Sequence, residues 1–262
     1  MSEPAAISFE GVITTHGDGQ ARTLDDISLV VKERQFLAIV GPSGSGKTTL
    51  LRLVNRLGDP SAGTVRVYGE DVRDLDPVAL RRRIGYVFQG VGLFPHMTVA
   101  ENIGITPKLL GWESARIDAR VDELIALVQL DRAQHRDRFP HELSGGERQR
   151  VGVARAIAAE PRLVLMDEPF GALDPLTRDA LGRDCRRLHN KLGLTTVMIT
   201  HDMLEALLLA DRVVVMRAGR VIADDTPRAL AAANDHGYVQ ELMEAPRRQA
   251  DELRALMRRE QR

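Results

Sequence analysis

The sequence predicts an α/β architecture: a mostly parallel sheet, an N-terminal antiparallel β subdomain, and an α-helical subdomain inserted in the middle third. Three observations predict it. Apolar runs of strand length at 36–40, 163–166, 195–200 and 213–216 alternate with segments capped or patterned as helices, the rhythm of a parallel sheet with crossovers. Between about 90 and 160 that rhythm stops and helical signals replace it. A glycine-rich turn joins the first run to a helix.

Taken in order, residues 7–12 alternate, Gly17-Asp18-Gly19 is a turn signal, and residues 27–31 resume the apolar pattern, giving short strands around a turn. The run 36–40 ends at Gly41, and a helix follows from Gly46 to about Leu57. Asp76-Pro77 supplies an N-cap and a first-turn proline ahead of a helix over 78–84. Tyr86-Val87-Phe88 reads as a buried strand ending in the polar Gln89. Thr98 and Glu101 form a capping box, and Ile117, Val121, Leu124, Ile125 and Val128 fall at helical spacing. A helix over 144–159 is stopped by Glu160-Pro161. Strand 163–166, a helix capped by Asp174-Pro175, strand 195–200, a helix to about Ala210 and strand 213–216 complete the core. From Tyr238 onward the chain is strongly charged, with Leu253, Leu256 and Met257 along one side of an expected helix. The expected division is one domain over 1–235, with its helical insertion at about 90–160, and a charged helical tail over 236–262.

Composition narrows the function classes. With 262 residues, 44% hydrophobic and 28% charged, the chain has enough apolar material for a large core. A net charge of -1 lacks the basic excess of a nucleic-acid binder, so no nucleic acid is expected as partner. Lysine occurs only at Lys32, Lys47, Lys108 and Lys191, a bias toward arginine that reads as genomic rather than functional. The lone Cys185 excludes an internal disulfide, fits a reducing compartment, and reads as a surface or half-buried thiol in a polar helix. The first ten residues lack a signal-peptide pattern, and no apolar run approaches the roughly 18 residues of a membrane span. Even 204–216 is broken by Glu205, Asp211 and Arg212. The expectation is a cytoplasmic chain that reaches a membrane only through a partner.

Gly41-Pro42-Ser43-Gly44-Ser45-Gly46-Lys47-Thr48 matches the pattern G-x-x-x-x-G-K-[ST] between a strand and a helix. Glycines let backbone N–H groups turn in on phosphate oxygens, and the helix N-terminus adds partial positive charge. Lys47 brings a full charge to the β/γ-phosphates, Thr48 can ligate Mg²⁺, and Thr49 continues the same first turn. The core is thus of the phosphate-loop NTPase type. The run 163–166 ends in Asp167 and Glu168 at the C-terminal edge of the sheet, where parallel sheets place their ligands. Asp167 is suited to the magnesium shell and Glu168 to general-base work on a water; capping by Asp167 and solvation of Glu168 are the bland alternatives.

Leu143-Ser144-Gly145-Gly146-Glu147-Arg148-Gln149-Arg150 resembles the signature sequence of ATP-binding cassette proteins. Physically, Ser144 and Glu147 form a capping box, while Gly145-Gly146 leave N–H groups bare as a second anion site. The resemblance runs from about residue 7 to 232 and implies several roles. ATP and Mg²⁺ would bind between two head-to-tail copies, with Ser144, Gly145 and Gly146 covering the partner copy's γ-phosphate. Gln89 matches the glutamine that senses Mg²⁺ and attacking water, Asp174 the loop that meets the second copy, and His201 the switch histidine beside Glu168. His16 falls where the family usually stacks an aromatic on adenine, a smaller ring than usual.

Within the family, Val54-Asn55-Arg56-Leu57, Gly92-Leu93-Phe94-Pro95-His96-Met97, Pro107-Lys108-Leu109-Leu110-Gly111-Trp112 and Thr200-His201-Asp202-Met203-Leu204-Glu205-Ala206 resemble the ATPases of osmoprotectant importers. The resemblance implies an ATPase that powers uptake of glycine betaine, choline or a similar solute, working with integral membrane permease subunits and indirectly with a substrate-binding protein. It would sit on the inner face of the membrane through the permease. Amino-acid or sulfonate importer ATPases, an exporter, and a non-transport soluble cassette ATPase stay open as alternatives. Many osmoprotectant ATPases carry a further C-terminal regulatory domain, for which this chain ends too early. Leu93, Phe94 and Met97 are the expected socket for a cytoplasmic helix of the permease.

Overall fold

Residues 4–16, 21–232, 237–244 and 248 are described by a computed structural model. In chain order, strands β1 (Ala5–His16), β2 (Ala21–Lys32) and β3 (Phe36–Val40) lead into helix α1 (Lys47–Val54). Strands β4 (Ala62–Val67) and β5 (Glu70–Asp71), helix α2 (Pro77–Arg83) and strand β6 (Ile84–Val87) follow. Helices α3 (Val99–Leu109), α4 (Ser114–Leu127), α5 (Arg132–His135) and α6 (Gly145–Ile157) separate β6 from β7 (Leu163–Asp167). Helix α7 (Pro175–Leu192), β8 (Thr195–Thr200), α8 (Met203–Leu209), β9 (Arg212–Arg217), β10 (Arg220–Asp225) and α9 (Pro227–Ala232) close the order.

The strands form two sheets. One has the order β10-β9-β3-β8-β7-β6, parallel from β9 to β6 with β10 antiparallel on one edge. The other, β2-β1-β4-β5, is antiparallel. Strands β3, β7 and β8 are buried along their whole length, as a parallel sheet covered on both faces requires of near-continuous apolar runs. Side chains alternate between the two faces. Phe36, Ala38 and Val40 join a core with Val99, Ile103 and Leu124 of the helical insertion. Leu37 and Ile39 join a second core with Leu50 and Leu53 of α1 and Ile7 and Phe9 of β1. The parallel sheet is therefore clamped between the insertion and α7 on one side and α1 with the antiparallel sheet on the other.

Local chemistry accounts for the element ends. Thr98 and Ser144 each make the full capping box with Glu101 and Glu147, and Asp76 and Asp174 cap α2 and α7 ahead of a first-position proline. Helix α1 stops at Val54, before the expected Leu57, because Arg56 turns to φ 48° and Leu57 N–H donates back to Arg52 O at 2.8 Å. Ile84 belongs to β6 rather than to the preceding helix, and Phe88 lies past the strand with 46% of its surface exposed. Strands β4, β5 and β10 are additional to the expected set. Cys185 is not a surface thiol: it lies 2% exposed on the α7 face that also buries Leu181 and Leu188, and burial pushes its pKa up to about 12. Residues 237–244 are helical; Leu253, Leu256 and Met257 lie outside the described residues. Among the described residues no helix is long and apolar enough to cross a membrane.

The insertion is tied to α7 by a part-buried ion pair. Arg150 Nη1 donates to Asp184 Oδ2 at 2.6 Å and to Val128 O at 2.9 Å, and Gln129 Nε2 donates to Asp184 Oδ1 at 2.8 Å. Breaking a buried pair strands the remaining charge, whereas replacing both partners with apolar groups does not. Arg150→Met leaves Asp184 with Gln129 and with the exposed Arg187 3.2 Å away, so it is expected to cost about 1–3 kcal/mol in urea denaturation. Arg150→Met with Asp184→Leu is expected to recover most of that loss.

Candidate functional site

Strand β3 ends against the loop 41–46, which folds back before α1 begins. Gly41 has no room for a side chain: a Cβ would lie 2.1 Å from the Met216 carbonyl oxygen of β9. Gly46 is the α1 N-cap at φ 97°, and a Cβ there would meet Thr23 O at 2.7 Å. The loop is thus wedged between β2 and β9. No side chain caps α1, so its first-turn N–H groups face the concavity of the loop. Lys47, 5% exposed, donates through Nζ to Gly41 O at 2.8 Å and Pro42 O at 2.9 Å. Burial pushes its pKa down, partly offset by the negative charges of Glu168 and Asp167. Ser45 Oγ is buried with no partner inside the same loop.

The end of β7 brings the acidic half. Asp167, 7% exposed, accepts from Thr48 Oγ1 at 3.2 Å and from the Tyr86 hydroxyl at 3.5 Å. Burial raises its pKa, and the neighbouring Glu168 charge raises it further. Glu168 takes φ 45°, a left-handed conformation that costs a glutamate about 1–2 kcal/mol. Its N–H donates to Ile199 O of β8 at 3.0 Å. The turn brings its carboxylate back over the sheet edge, where Oε2 accepts from Gln89 Nε2 at 3.0 Å and lies 3.5 Å from His201 Nδ1.

Three neighbouring strands, β6, β7 and β8, therefore deliver Gln89, Glu168 and His201 to one point. That point borders a cleft of about 330 Å³ whose floor is Ser43, Gly44, Gly46, Lys47, Thr48 and Thr49. Gln89 and Glu168 form its opposite wall and Thr23 part of its rim. Ser144, Gly145 and Gly146 are not among the residues lining it. They open α6 against the start of α7, where Gly145 leaves room beside Leu173 and a Cβ on Gly146 would meet Thr177 Cγ2 at 2.6 Å. Asp174 sits at that junction and accepts from Thr177 N–H at 3.0 Å. Strand β1 reaches His16, whose side chain lies outside the described residues. Thr23 and Tyr86 were not singled out by the sequence. Tyr86 could have been, since it lies in the strand that ends at Gln89.

The donor set decides what the cleft can hold. A buried ammonium and bare helix N–H groups suit a polyanion. Thr48 and Asp167 offer adjacent hard oxygens, the donors of a small divalent cation that keeps most of its water or ligand oxygens. Among the described residues no group of three or more His, Cys, Asp or Glu is placed to hold a metal ion.

The family model of the ABC transporter matches residues 24–171. The choline transport ATP-binding protein OpuBA of Bacillus subtilis is 46% identical over 237 residues, 90% of this chain and 62% of its own length. The glycine betaine uptake system ATP-binding protein YehX of Escherichia coli is 48% identical over 223 residues, 85% of this chain and 72% of its own. The chain spans about three fifths of the length of the first curated relatives it matches. Among solved structures, the dimeric ATP-binding cassette MJ0796 in a post-hydrolysis state with ADP and Pi superposes with a TM-score of 0.76 at 32% identity. It covers 85% of this chain and 99% of that one.

The buried carboxylate of Asp167 gives a stability test. Its folded pKa lies above its unfolded one, so the folded state binds more protons in that window and loses stability as pH rises through it. Asp167→Asn is expected to raise the melting midpoint of the ligand-free chain, in chelator at pH 7.5, by about 2–4 °C per kcal/mol gained. The gain is expected to shrink as pH falls through the range in which Asp167 takes up its proton, measured by calorimetry.

Proposed function

The chain belongs to the ABC transporter family, and on that premise we propose that it binds ATP with Mg²⁺ and hydrolyses it as the motor subunit of an importer. The proposed cargo is a small osmoprotectant such as choline or glycine betaine, by analogy with the named relatives. The observation that carries the reading is the meeting of Gln89, Glu168 and His201 across the cleft from Lys47 and Thr48.

In this reading the triphosphate lies on the N–H groups of 43–49, and Lys47 exchanges its two loop carbonyls for phosphate oxygens. Thr48 and Asp167, with Gln89, would hold Mg²⁺, which supplies charge neutralisation at the β/γ-oxygens. Glu168 Oε2 takes the proton from the attacking water, and Gln89 and His201 keep that carboxylate aimed. His16 is the proposed adenine contact. Ser144, Gly145, Gly146 and Asp174 stand apart from the chain's own cleft, which favours a head-to-tail second copy whose α6 N-terminus closes the site. The solved dimer of the related cassette supports that arrangement. The unit doing this is proposed as residues 1–235 with the insertion at about 90–160, and 236–262 as a tail.

Coupling to a permease needs an apolar socket. A groove of about 480 Å³ runs beside Phe88, Phe94, Ile105 and Leu109, with Arg82 and Arg155 also on its walls. Of the expected socket residues only Phe94 lines it. Leu93 is half-buried against the core, and Met97 lies on the other side of α3 toward Trp112 and Ile117. The groove is the proposed seat of a permease helix on the inner face of the membrane, with a substrate-binding protein acting through the permease.

Glu168→Gln is expected to keep ATP binding while lowering hydrolysis by about 10²–10⁴-fold, and to accumulate an ATP-bound dimer in gel filtration. Lys47→Ala is expected to lose tight nucleotide binding instead. Normal turnover by the Glu168→Gln variant would remove Glu168 as the base. Phe94→Asp is expected to abolish co-purification with the permease while leaving ATP binding by the isolated chain within about twofold. Retained co-purification would move the socket elsewhere.

A further inference from the structure

Arg178, on the first turns of α7, bridges two loops that meet the site from different directions. Its Nη2 donates to Leu173 O at 3.2 Å, the carbonyl one residue before Asp174. Its Nη1 lies 3.5 Å from Asp202 Oδ2, and its Nε, buried and without a hydrogen bond, lies 3.5 Å from Glu205 Oε1. Those two carboxylates hold the residues on either side of His201. Asp202 caps α8 through Leu204 N–H at 2.8 Å and Glu205 N–H at 3.2 Å. Glu205 Oε2 accepts from Thr200 Oγ1 at 2.7 Å, and Thr200 Oγ1 in turn accepts from Asp202 N–H at 3.0 Å.

His201 thus sits on a short arch whose two feet, Thr200 and Asp202, are tied through carboxylates to one guanidinium. Its own ring is 57% exposed with Nδ1 3.5 Å from Glu168 Oε2, so its direction depends on the arch that carries it. We propose that Arg178 is a positioning residue for His201, coupling the 171–174 turn to the placement of the imidazole against Glu168.

A lysine there carries the same charge but a single ammonium on a flexible stem, and cannot address Leu173 O, Asp202 and Glu205 in one plane. The consequence is directional. A shift of the 171–174 turn pulls the Leu173 carbonyl, the guanidinium follows, and the arch under His201 moves with it. Misplacement of a catalytic group by about 1 Å is worth up to on the order of 10²-fold in rate, so small movements at Leu173 suffice.

Nitrogen-15 NMR of labelled histidine in the full, ligand-free chain reads the placement directly. Arg178→Met is expected to move the His201 ring signals and leave those of His189, buried against Phe36 and Thr196, and His135, held by Glu147 and Asp131, in place. Arg178→Lys is expected to move them partway, and serves where the methionine variant does not fold. Unmoved His201 signals in a folded variant overturn the proposal. The kinetic arm rests on the ATPase reading above: Arg178→Met is expected to lower kcat roughly tenfold with KM for ATP within about twofold, and to add nothing in a His201→Ala background. Multiplying effects overturn it. A wild-type chain that does not turn over ATP sinks the ATPase reading and leaves the NMR arm standing.

Discussion

Two opposite charges buried at one sheet edge, without being paired to each other, are the constraint from which the rest of the site follows. Lys47 and Asp167 are 5% and 7% exposed, yet Lys47 donates to loop carbonyls and Asp167 accepts from Thr48 and Tyr86. Burial disfavours both charged forms, lowering one pKa and raising the other. A direct ion pair would relieve that penalty and fill the cradle. Holding the two apart leaves a gap between a buried ammonium and a buried carboxylate. The left-handed Glu168 belongs to the same pattern, with folded-state stability given up where a ligand restores it.

Much of this was legible in the sequence because its signals are local. Strands β3 and β8 fall on the apolar runs 36–40 and 195–200, and both capping boxes form where Thr98 and Ser144 stand. The phosphate-loop spacing needed only a strand before it and a helix after it. The misreadings concern contacts made at long range. Strand β4 contains Gly63 and alternates with Thr64 and Arg66, so its own pattern is weak; it is a strand because β1 pairs with it, Ile7 against Val67. Cys185 looked polar by its neighbours in sequence, but Leu181 and Leu188 put it on the inner stripe of α7. Leu93 and Met97 share the apolar character of Phe94, and only the turn between β6 and α3 decides which of the three faces the groove.

The convergence of the site residues was legible in outline, for a topological reason. Strands β6, β7 and β8 run parallel and adjacent, so residues just past their C-terminal ends must share one edge however far apart they lie in sequence. That places Gln89, Glu168 and His201 together before any distance is measured. What the rule does not supply is aim. In extended geometry the Glu168 side chain would stand out from one face of the sheet, and it is the φ of 45°, pinned by the bond to Ile199 O, that brings Oε2 to Gln89 and His201.

The same logic extends to the residues that stay out of the cleft. Ser144, Gly145 and Gly146 abut the opening of α7 through Leu173 and Thr177, and Arg178 holds Leu173 from the other side. The α6 N-terminus and the histidine at the end of β8 are therefore linked through a short stretch of one helix start. A Cβ at position 146 would lie 2.6 Å from Thr177 Cγ2, so it is glycine that lets the two helix starts sit this close. The Arg150–Asp184 pair ties the same two helices further along, so α6 and α7 are joined at two points as one packing unit. An anion drawn to the bare N–H groups of α6 would then act on that unit, and its pull would reach Glu168 by way of Leu173, Arg178 and the arch that carries His201.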